Sequence, residues 1–142
     1  MYFEDVQLGT TFTTDPVVIE KEKMLDFARL YDWIPLHTDE EYAQKTRFGQ
    51  LIAPGVMSFM SVWSKYLEKD LFGEELIAGK STKIEWLKPV YANDCLTGTV
   101  EVTALTPRNA RNGLAEITIH IRNQNDELVM IDVTEAVIKR RP

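Results

Sequence analysis

The chain has 142 residues, is 44% hydrophobic and carries a formal net charge of −6, which predicts one domain, 1–142, with a core of its own. The acidic balance and the lack of any long run of Lys or Arg predict no nucleic-acid partner. One cysteine and two histidines predict neither a disulfide nor a metal site. With no secretory signal and no apolar run of roughly 20 residues, we expect a cytoplasmic protein without a membrane partner.

The N-terminal half predicts one short strand followed by two helices. The segment DPVVIE holds three consecutive β-branched residues and is typical of a strand. From Met24 onward, apolar residues of KEKMLDFARLY recur at i, i+3, i+4 and i+7, and Pro35 ends this helix near Asp32. The segment HTDEEYAQKT predicts a second, short helix with Thr38 as its N-cap.

The longest predicted helix, Val56–Phe72, is the centre of the predicted fold. Its broad apolar stripe indicates that the helix is largely buried, and consists of Val56, Phe59, Met60, Trp63, Leu67 and Leu71. Four later segments show partial period-two alternation and many β-branched residues, as strands do: STKIEWLKPVY, DCLTGTVEVTALT, GLAEITIHIRNQ and ELVMIDVTEAVIKR. The predicted class is therefore α+β, with one curved antiparallel sheet wrapped around one long helix.

Asp32 and His37 stand five residues apart with Pro35 between them. A tight turn at Pro35 can bring both side chains to one side, where a carboxylate and an imidazole can hold a water and exchange protons with it. Histidine side chains exchange protons near neutral pH, which suits them to this chemistry. The spacing also fits a second interpretation, in which Asp32 ends one helix and His37 is an exposed residue at the start of the next.

Pro54 and Gly55 come directly before the long helix, in the segment LIAPGVMSFM. The first amides of a helix have no internal partner, and with the helix dipole they suit a developing negative charge. Gly55 also permits a close approach of a ligand to the backbone. The chain therefore offers a possible oxyanion site in addition to a possible proton-transfer pair.

Three segments stand out as a set: YFEDVQLGTTF, MLDFARLYDWIPLHTDEEYAQKTRFGQLIAPGVM and WLKPVYANDCLTGTVEV. In that order they resemble the opening, the hydratase motif and the strand after the central helix of the MaoC-like dehydratases, which include the (R)-specific enoyl-CoA hydratases. The resemblance implies a hot-dog fold and a homodimer or higher homo-oligomer. It also implies reversible addition of water to 2-enoyl thioesters of CoA or acyl carrier protein, giving (R)-3-hydroxyacyl thioesters, without a cofactor.

The same resemblance implies roles for individual residues. Asp32 and His37 match the family's catalytic aspartate and histidine, and Gly55 matches the glycine whose amide polarises the thioester carbonyl. Residues expected to line the acyl pocket, for each of which ordinary core packing is the alternative, are Trp33, Ile34, Phe48, Pro54, Phe59, Met60 and Trp63.

The chain departs from the family motif at three positions beside these residues. Tyr31 stands where the motif has glycine, Ile34 where it has asparagine, and Pro54 where many hydratases have histidine. Two other functions therefore stay open: a hot-dog thioesterase that attacks the thioester carbonyl with water, and an acyl-thioester-binding protein with weak or no turnover.

Overall fold

The computed structural model describes residues 1–142 and contains four α-helices and six strands. The helices are α1 (Lys21–Tyr31), α2 (Pro35–Thr38), α3 (Glu40–Gln44) and α4 (Gly55–Leu67). The strands are β1 (Thr11–Thr13), β2 (Val17–Val18), β3 (Leu76–Trp86), β4 (Cys95–Pro107), β5 (Asn112–Arg122) and β6 (Leu128–Lys139). Short 3-10 turns span Phe3–Asp5 and Gly73–Glu75. None of the helices combines the length and the apolar character needed to cross a membrane.

The strands form one antiparallel sheet in the order β1-β4-β5-β6-β3, with β2 paired to β4, and this confirms the predicted α+β class. Side chains of β5 alternate between a buried face, which includes Ile117, Ile119 and Ile121, and a half-buried face. The central helix α4 packs on the buried face. The two are in tight contact at Gly98 of β4, where an added Cβ would lie 2.9 Å from methyl groups of both Val62 and Ile119.

The long helix differs from its prediction in extent and in orientation. It ends at Leu67 because a polar run follows it and Asp70 takes a positive φ of 46°, after which Phe72 turns back into the core. The predicted apolar stripe is right in part: Phe59 is buried, and Trp63 and Leu71 pack against the core. The other three predicted residues are exposed, and the buried face of the helix consists of Met57, Ser58, Phe59, Val62 and Tyr66. An apolar strip of α4 formed by Val56, Met60 and Leu67 is left exposed in the single chain.

The segment after α1 also differs from its prediction. Helix α1 ends before Pro35, which is the first residue of the single-turn helix α2. A proline is well suited to this position because the N–H that it lacks would have no partner within the helix. Thr38 is the last residue of α2, and its hydroxyl donates to the carbonyl of Ile34. The N-cap of α3 is Asp39, whose carboxylate accepts from the amide of Tyr42 at 3.1 Å.

A buried carboxyl group, that of Asp132 on β6, lies on the core face of the sheet. Its two oxygens accept from the hydroxyls of Thr82, at 2.5 Å, and Thr134, at 2.7 Å. Burial raises the pKa of Asp132, and the two threonine hydrogen bonds only partly oppose the rise. On α4, burial and the charge of Asp132 together raise the pKa of Tyr66 to about 12.

The Asp132→Asn variant is expected to gain stability relative to the wild type as pH rises from about 4 to 7. A raised folded-state pKa means that the folded chain binds more protons than the unfolded chain above pH 3.8, so the wild type loses stability as pH rises through that window. Chemical denaturation at both pH values measures the difference. The exposed Asp126→Asn is the control, and an equal pH dependence of the Asp132→Asn variant and the wild type would contradict the expectation.

Candidate active site

The turn between α1 and α2 brings Asp32 and His37 together. Helix α1 ends with the amide of Asp32 donating to the carbonyl of Ala28, and the one-turn helix α2 projects His37 back toward it. The Nε2 atom of His37 lies 3.3 Å from Oδ2 of Asp32. The His37 side chain is 8% exposed and that of Asp32 is 42% exposed, so His37 forms the buried half of the pair.

The backbone carbonyl of Ile52 fixes the orientation of the His37 ring. It lies 2.8 Å from Nδ1 of His37 and can only accept, so Nδ1 carries the proton of this hydrogen bond. In the neutral imidazole, Nε2 is then the basic nitrogen, and it faces the carboxylate of Asp32. The two atoms are too close for a water to lie between them, but a water on the cavity side can bond to both, which is an arrangement that suits a proton-transfer pair.

Backbone pairing holds the Ile52 carbonyl in place. The amide of Ile52 donates to the carbonyl of Leu36 at 3.4 Å, and the amide of Ala53 donates to the carbonyl of Val90 at 2.7 Å. An isolated bridge pairs Ile52 with Tyr91. The segment before α4 is thereby fixed both to α2 and to the segment after β3, so the His37 ring has a rigid support.

A cavity of about 400 Å³ opens beside the pair. It is formed by residues from α2, the loop before α4, the first turn of α4 and the end of β3: Asp32, His37, Arg47, Phe48, Ile52, Ala53, Gly55, Val56, Ser58, Trp86, Leu87, Lys88, Pro89 and Val90. Half of the lining is apolar, and the polar groups include the predicted dyad. Such a combination is typical of a small-molecule site.

The N-terminus of α4 borders this cavity at Gly55. Pro54 is the N-cap and provides no side-chain cap, and the first backbone bond at this helix end runs from the amide of Ser58 to the carbonyl of Pro54. The amides of Gly55, Val56 and Met57 therefore remain without a backbone partner. These donors and the positive end of the helix dipole suit an oxygen that gains negative charge.

The residues predicted to line an acyl pocket are divided by the structure. Phe48 lines the cavity, and Pro54 lies buried next to it. Trp33 and Ile34 follow Asp32 in the chain and lie on the surface, and Trp33 is 75% exposed. Ile34 contributes its carbonyl, which accepts from the amide of His37, while its side chain stays out of the cavity.

Helix α4 carries the other three predicted pocket residues away from the cavity. Phe59 is buried, and its ring centre lies 5.6 Å from that of Trp63, which in turn contacts Tyr66 within the core. Met60 is exposed on the outer strip of the helix. A substrate role for any of these side chains stays a prediction, because none lines the cavity of the single chain.

Several lining residues were missed by the sequence reasoning, chiefly Arg47, Ser58 and Trp86. Arg47 lies over the ring of Phe48, 4.9 Å from its centre. Ser58 is fully buried, and its hydroxyl donates to the carbonyl of Pro54 over 3.3 Å. Arg47 and Ser58 lie close to the motif in sequence, whereas nothing in the sequence links Trp86 to Gly55.

An antiparallel sheet wrapped on a central helix is the hot-dog fold, as predicted. The family model described as MaoC like domain matches residues 5–123, so the chain belongs to the MaoC-like domain family. The predicted family and fold are both confirmed.

Individual relatives agree with this assignment. The (R)-specific enoyl-CoA hydratase of Rhodospirillum rubrum is 33% identical over 106 residues, covering 75% of this chain and 72% of the hydratase. The uncharacterized protein YdeM of Bacillus subtilis is 29% identical over 141 residues, covering 99% of this chain and all of that protein. The X-ray structure of a monoamine oxidase regulatory protein from Archaeoglobus fulgidus matches with a TM-score of 0.95 and 29% identity, covering 100% of this chain and 96% of that one.

Proposed function

We propose that this protein is a hydratase/dehydratase that acts reversibly on 2-enoyl and (R)-3-hydroxyacyl thioesters of CoA or acyl carrier protein. The observation that carries the proposal is the shared cavity, in which Asp32, His37 and the free amide of Gly55 meet. The relationship to an (R)-specific enoyl-CoA hydratase adds support from sequence.

The dyad accounts for the proton balance of hydration. A water that bonds to both Asp32 and Nε2 of His37 gives one proton to the dyad, and its oxygen forms a bond to C3 of the enoyl group. The C2–C3 double bond opens toward C2 and the thioester carbonyl, and the dyad then delivers a proton to C2. One water is added in total, the dyad returns to its starting state, and dehydration follows the same steps in reverse.

The first turn of α4 stabilises the charge that develops during this reaction. Attack at C3 moves negative charge onto the thioester carbonyl oxygen, as in an enolate. Gly55 lines the cavity and its amide has no partner within the chain, so the amide is available to donate to that oxygen. Donors that are fixed before the reaction need no reorganisation when charge appears, which is why such sites accelerate the step.

Product analysis of the wild-type protein tests the proposal against its two alternatives. Incubation with 2-enoyl-CoA thioesters of increasing chain length should consume the enoyl absorbance and yield (R)-3-hydroxyacyl-CoA without release of free thiol. Release of CoA thiol at the rate of substrate loss would instead identify a thioesterase. Saturable binding without consumption of any chain length would identify a binding protein, and either result would reject the proposal.

We also propose that the protein acts as a homodimer or higher homo-oligomer. Strand β3 lies at the edge of the sheet, paired with β6 on one side and open on the other, and Ile77 is exposed on it. The exposed strip of α4, with Val56 and Met60, adds apolar surface. An open strand edge together with apolar surface is a feature that proteins normally cover, and a second copy of the chain would cover both.

The Met60→Lys variant is expected to weaken self-association. A charge at the centre of the exposed strip of α4 would have to be buried without a partner in the assembly, whereas the single chain tolerates it because Met60 is exposed. Light scattering coupled to size-exclusion chromatography should give a smaller mass than for the wild type. Leu8→Lys, at another exposed apolar position, is the control. An unchanged mass for the Met60→Lys variant would place the interface elsewhere.

A further inference from the structure

Trp86 closes over Gly55 at the mouth of the cavity. It is the last residue of β3, and its indole packs so tightly on the glycine that an added Cβ would lie 2.3 Å from Nε1 and 2.4 Å from Cε2. In this arrangement the indole leaves no room for a side chain at position 55. The nearest indole atom to that point is the nitrogen, which is the only polar atom of the ring.

This contact limits the distance between two N–H donors, the indole N–H of Trp86 and the backbone amide of Gly55. A Cβ lies about 2.5 Å from the amide nitrogen of its own residue, from standard backbone geometry. Because Nε1 is 2.3 Å from that Cβ position, it lies at most about 4.8 Å from the nitrogen of Gly55. One oxygen can accept from two nitrogens so spaced, since each N–H···O bond spans about 2.9 Å.

Both donors are unoccupied within the chain. The indole N–H of Trp86 makes no hydrogen bond to another group of the chain, and the residue is 53% exposed. The amide of Gly55 likewise has no backbone partner. Lys88, the nearest cation along the chain that lines the cavity, is already paired with Glu127 at 2.6 Å.

We propose that the indole N–H of Trp86 is a second donor to the thioester carbonyl oxygen, acting together with the amide of Gly55. Trp86 would then touch the substrate at the atom where charge develops. Two converging donors also fix the direction of the carbonyl, so the enoyl C3 is held toward Asp32 and His37. The inference rests on the proposed function for the identity of the ligand, and adds a catalytic residue to it.

The Trp86→Phe variant removes the N–H and keeps an aromatic ring over Gly55. Loss of one such donor typically lowers kcat by about 100- to 1,000-fold, and because the Gly55 amide remains, we expect at least a tenfold loss in kcat with a smaller change in KM. The matched control is Tyr42→Phe, which removes a ring-borne donor from an exposed residue that does not line the cavity. Its kcat should stay within about twofold of the wild type.

A second measurement reports the hydrogen bond without turnover. The protein has three tryptophans, and the spectrum of the Trp86→Phe variant identifies the indole ¹H–¹⁵N resonance of Trp86. Butanoyl-CoA has the thioester carbonyl but no double bond to hydrate, whereas free CoA lacks the carbonyl. We expect butanoyl-CoA, and not CoA, to move the indole proton of Trp86 downfield.

The combined outcomes separate this inference from the proposed function. If the wild type hydrates enoyl-CoA but the Trp86→Phe variant keeps its kcat within about twofold, or the indole proton does not move, the role of Trp86 is overturned and the proposed function stands. If the wild type fails to hydrate but butanoyl-CoA moves the indole proton, the proposed function fails and the contact stands. If the wild type shows no turnover and the indole proton does not move, both the proposed function and the role of Trp86 are overturned.

Discussion

The Asp32→Asn variant should lose at least about 99.9% of hydratase turnover, a fall of about 1,000-fold in kcat. The amide keeps the shape of the side chain but can no longer share a proton between His37 and water. Because the Asp32 side chain is 42% exposed and only its amide caps the end of α1, the fold should be unaffected. Initial rates with an enoyl-CoA substrate, and thermal denaturation of the same sample, measure the two effects separately.

Asp26→Asn is the matched control for this substitution. Asp26 lies on the same helix, is exposed, and makes no contact with the cavity, so the variant has the same change in charge without a change in the dyad. Its turnover should equal that of the wild type. If the Asp32→Asn variant also kept the wild-type rate, the assignment of the dyad would be lost, and water activation would have to be sought elsewhere in the cavity.

The Gly98→Val variant should lower the free energy of unfolding by about 2–3 kcal/mol. Position 98 faces α4 across the core, and even a single added carbon would lie 2.9 Å from methyls of Val62 and Ile119. Both neighbours are buried and β-branched, so neither can rotate away cheaply. Denaturant unfolding at one fixed protein concentration gives the difference, since self-association would add a concentration-dependent term.

Thr99→Val tests whether the expected loss comes from packing alone. Thr99 follows Gly98 on β4, but its side chain is on the opposite, exposed face of the sheet. The variant places the same side chain on the same strand and should change stability by less than about 0.5 kcal/mol. A comparable loss in both variants would show that valine disturbs β4 itself and that the contact with α4 is not the cause.

The parts of the fold that rest on local patterns were predictable. Three long strands, β4 to β6, begin and end within a few residues of their predicted limits, because alternation and β-branched residues act over a short range. The proximity of Asp32 and His37 was also predictable. Pro35 both ends one helix and starts the next turn, so the two side chains are brought together within six residues of chain.

The rest depends on contacts that no local pattern encodes. Helix α4 is apolar on most of its surface, so its sequence did not determine which side would face the sheet. Of the predicted stripe, Phe59 is buried, whereas Val56, Met60 and Leu67 are exposed. Trp33 was predicted to line the pocket because it lies within the motif, yet it is exposed. The tryptophan that lines the cavity is Trp86, which only the sheet topology brings to Gly55.

Two of the groups that build the site belong to the main chain: the carbonyl of Ile52, which orients His37, and the amide of Gly55. Every residue type has the same carbonyl, so a substitution at position 52 leaves this hydrogen-bond acceptor in place. An alanine scan would report on the Ile52 side chain, which lines the cavity, and not on its carbonyl. The support that this carbonyl gives to His37 is therefore lost only when the path of the backbone changes.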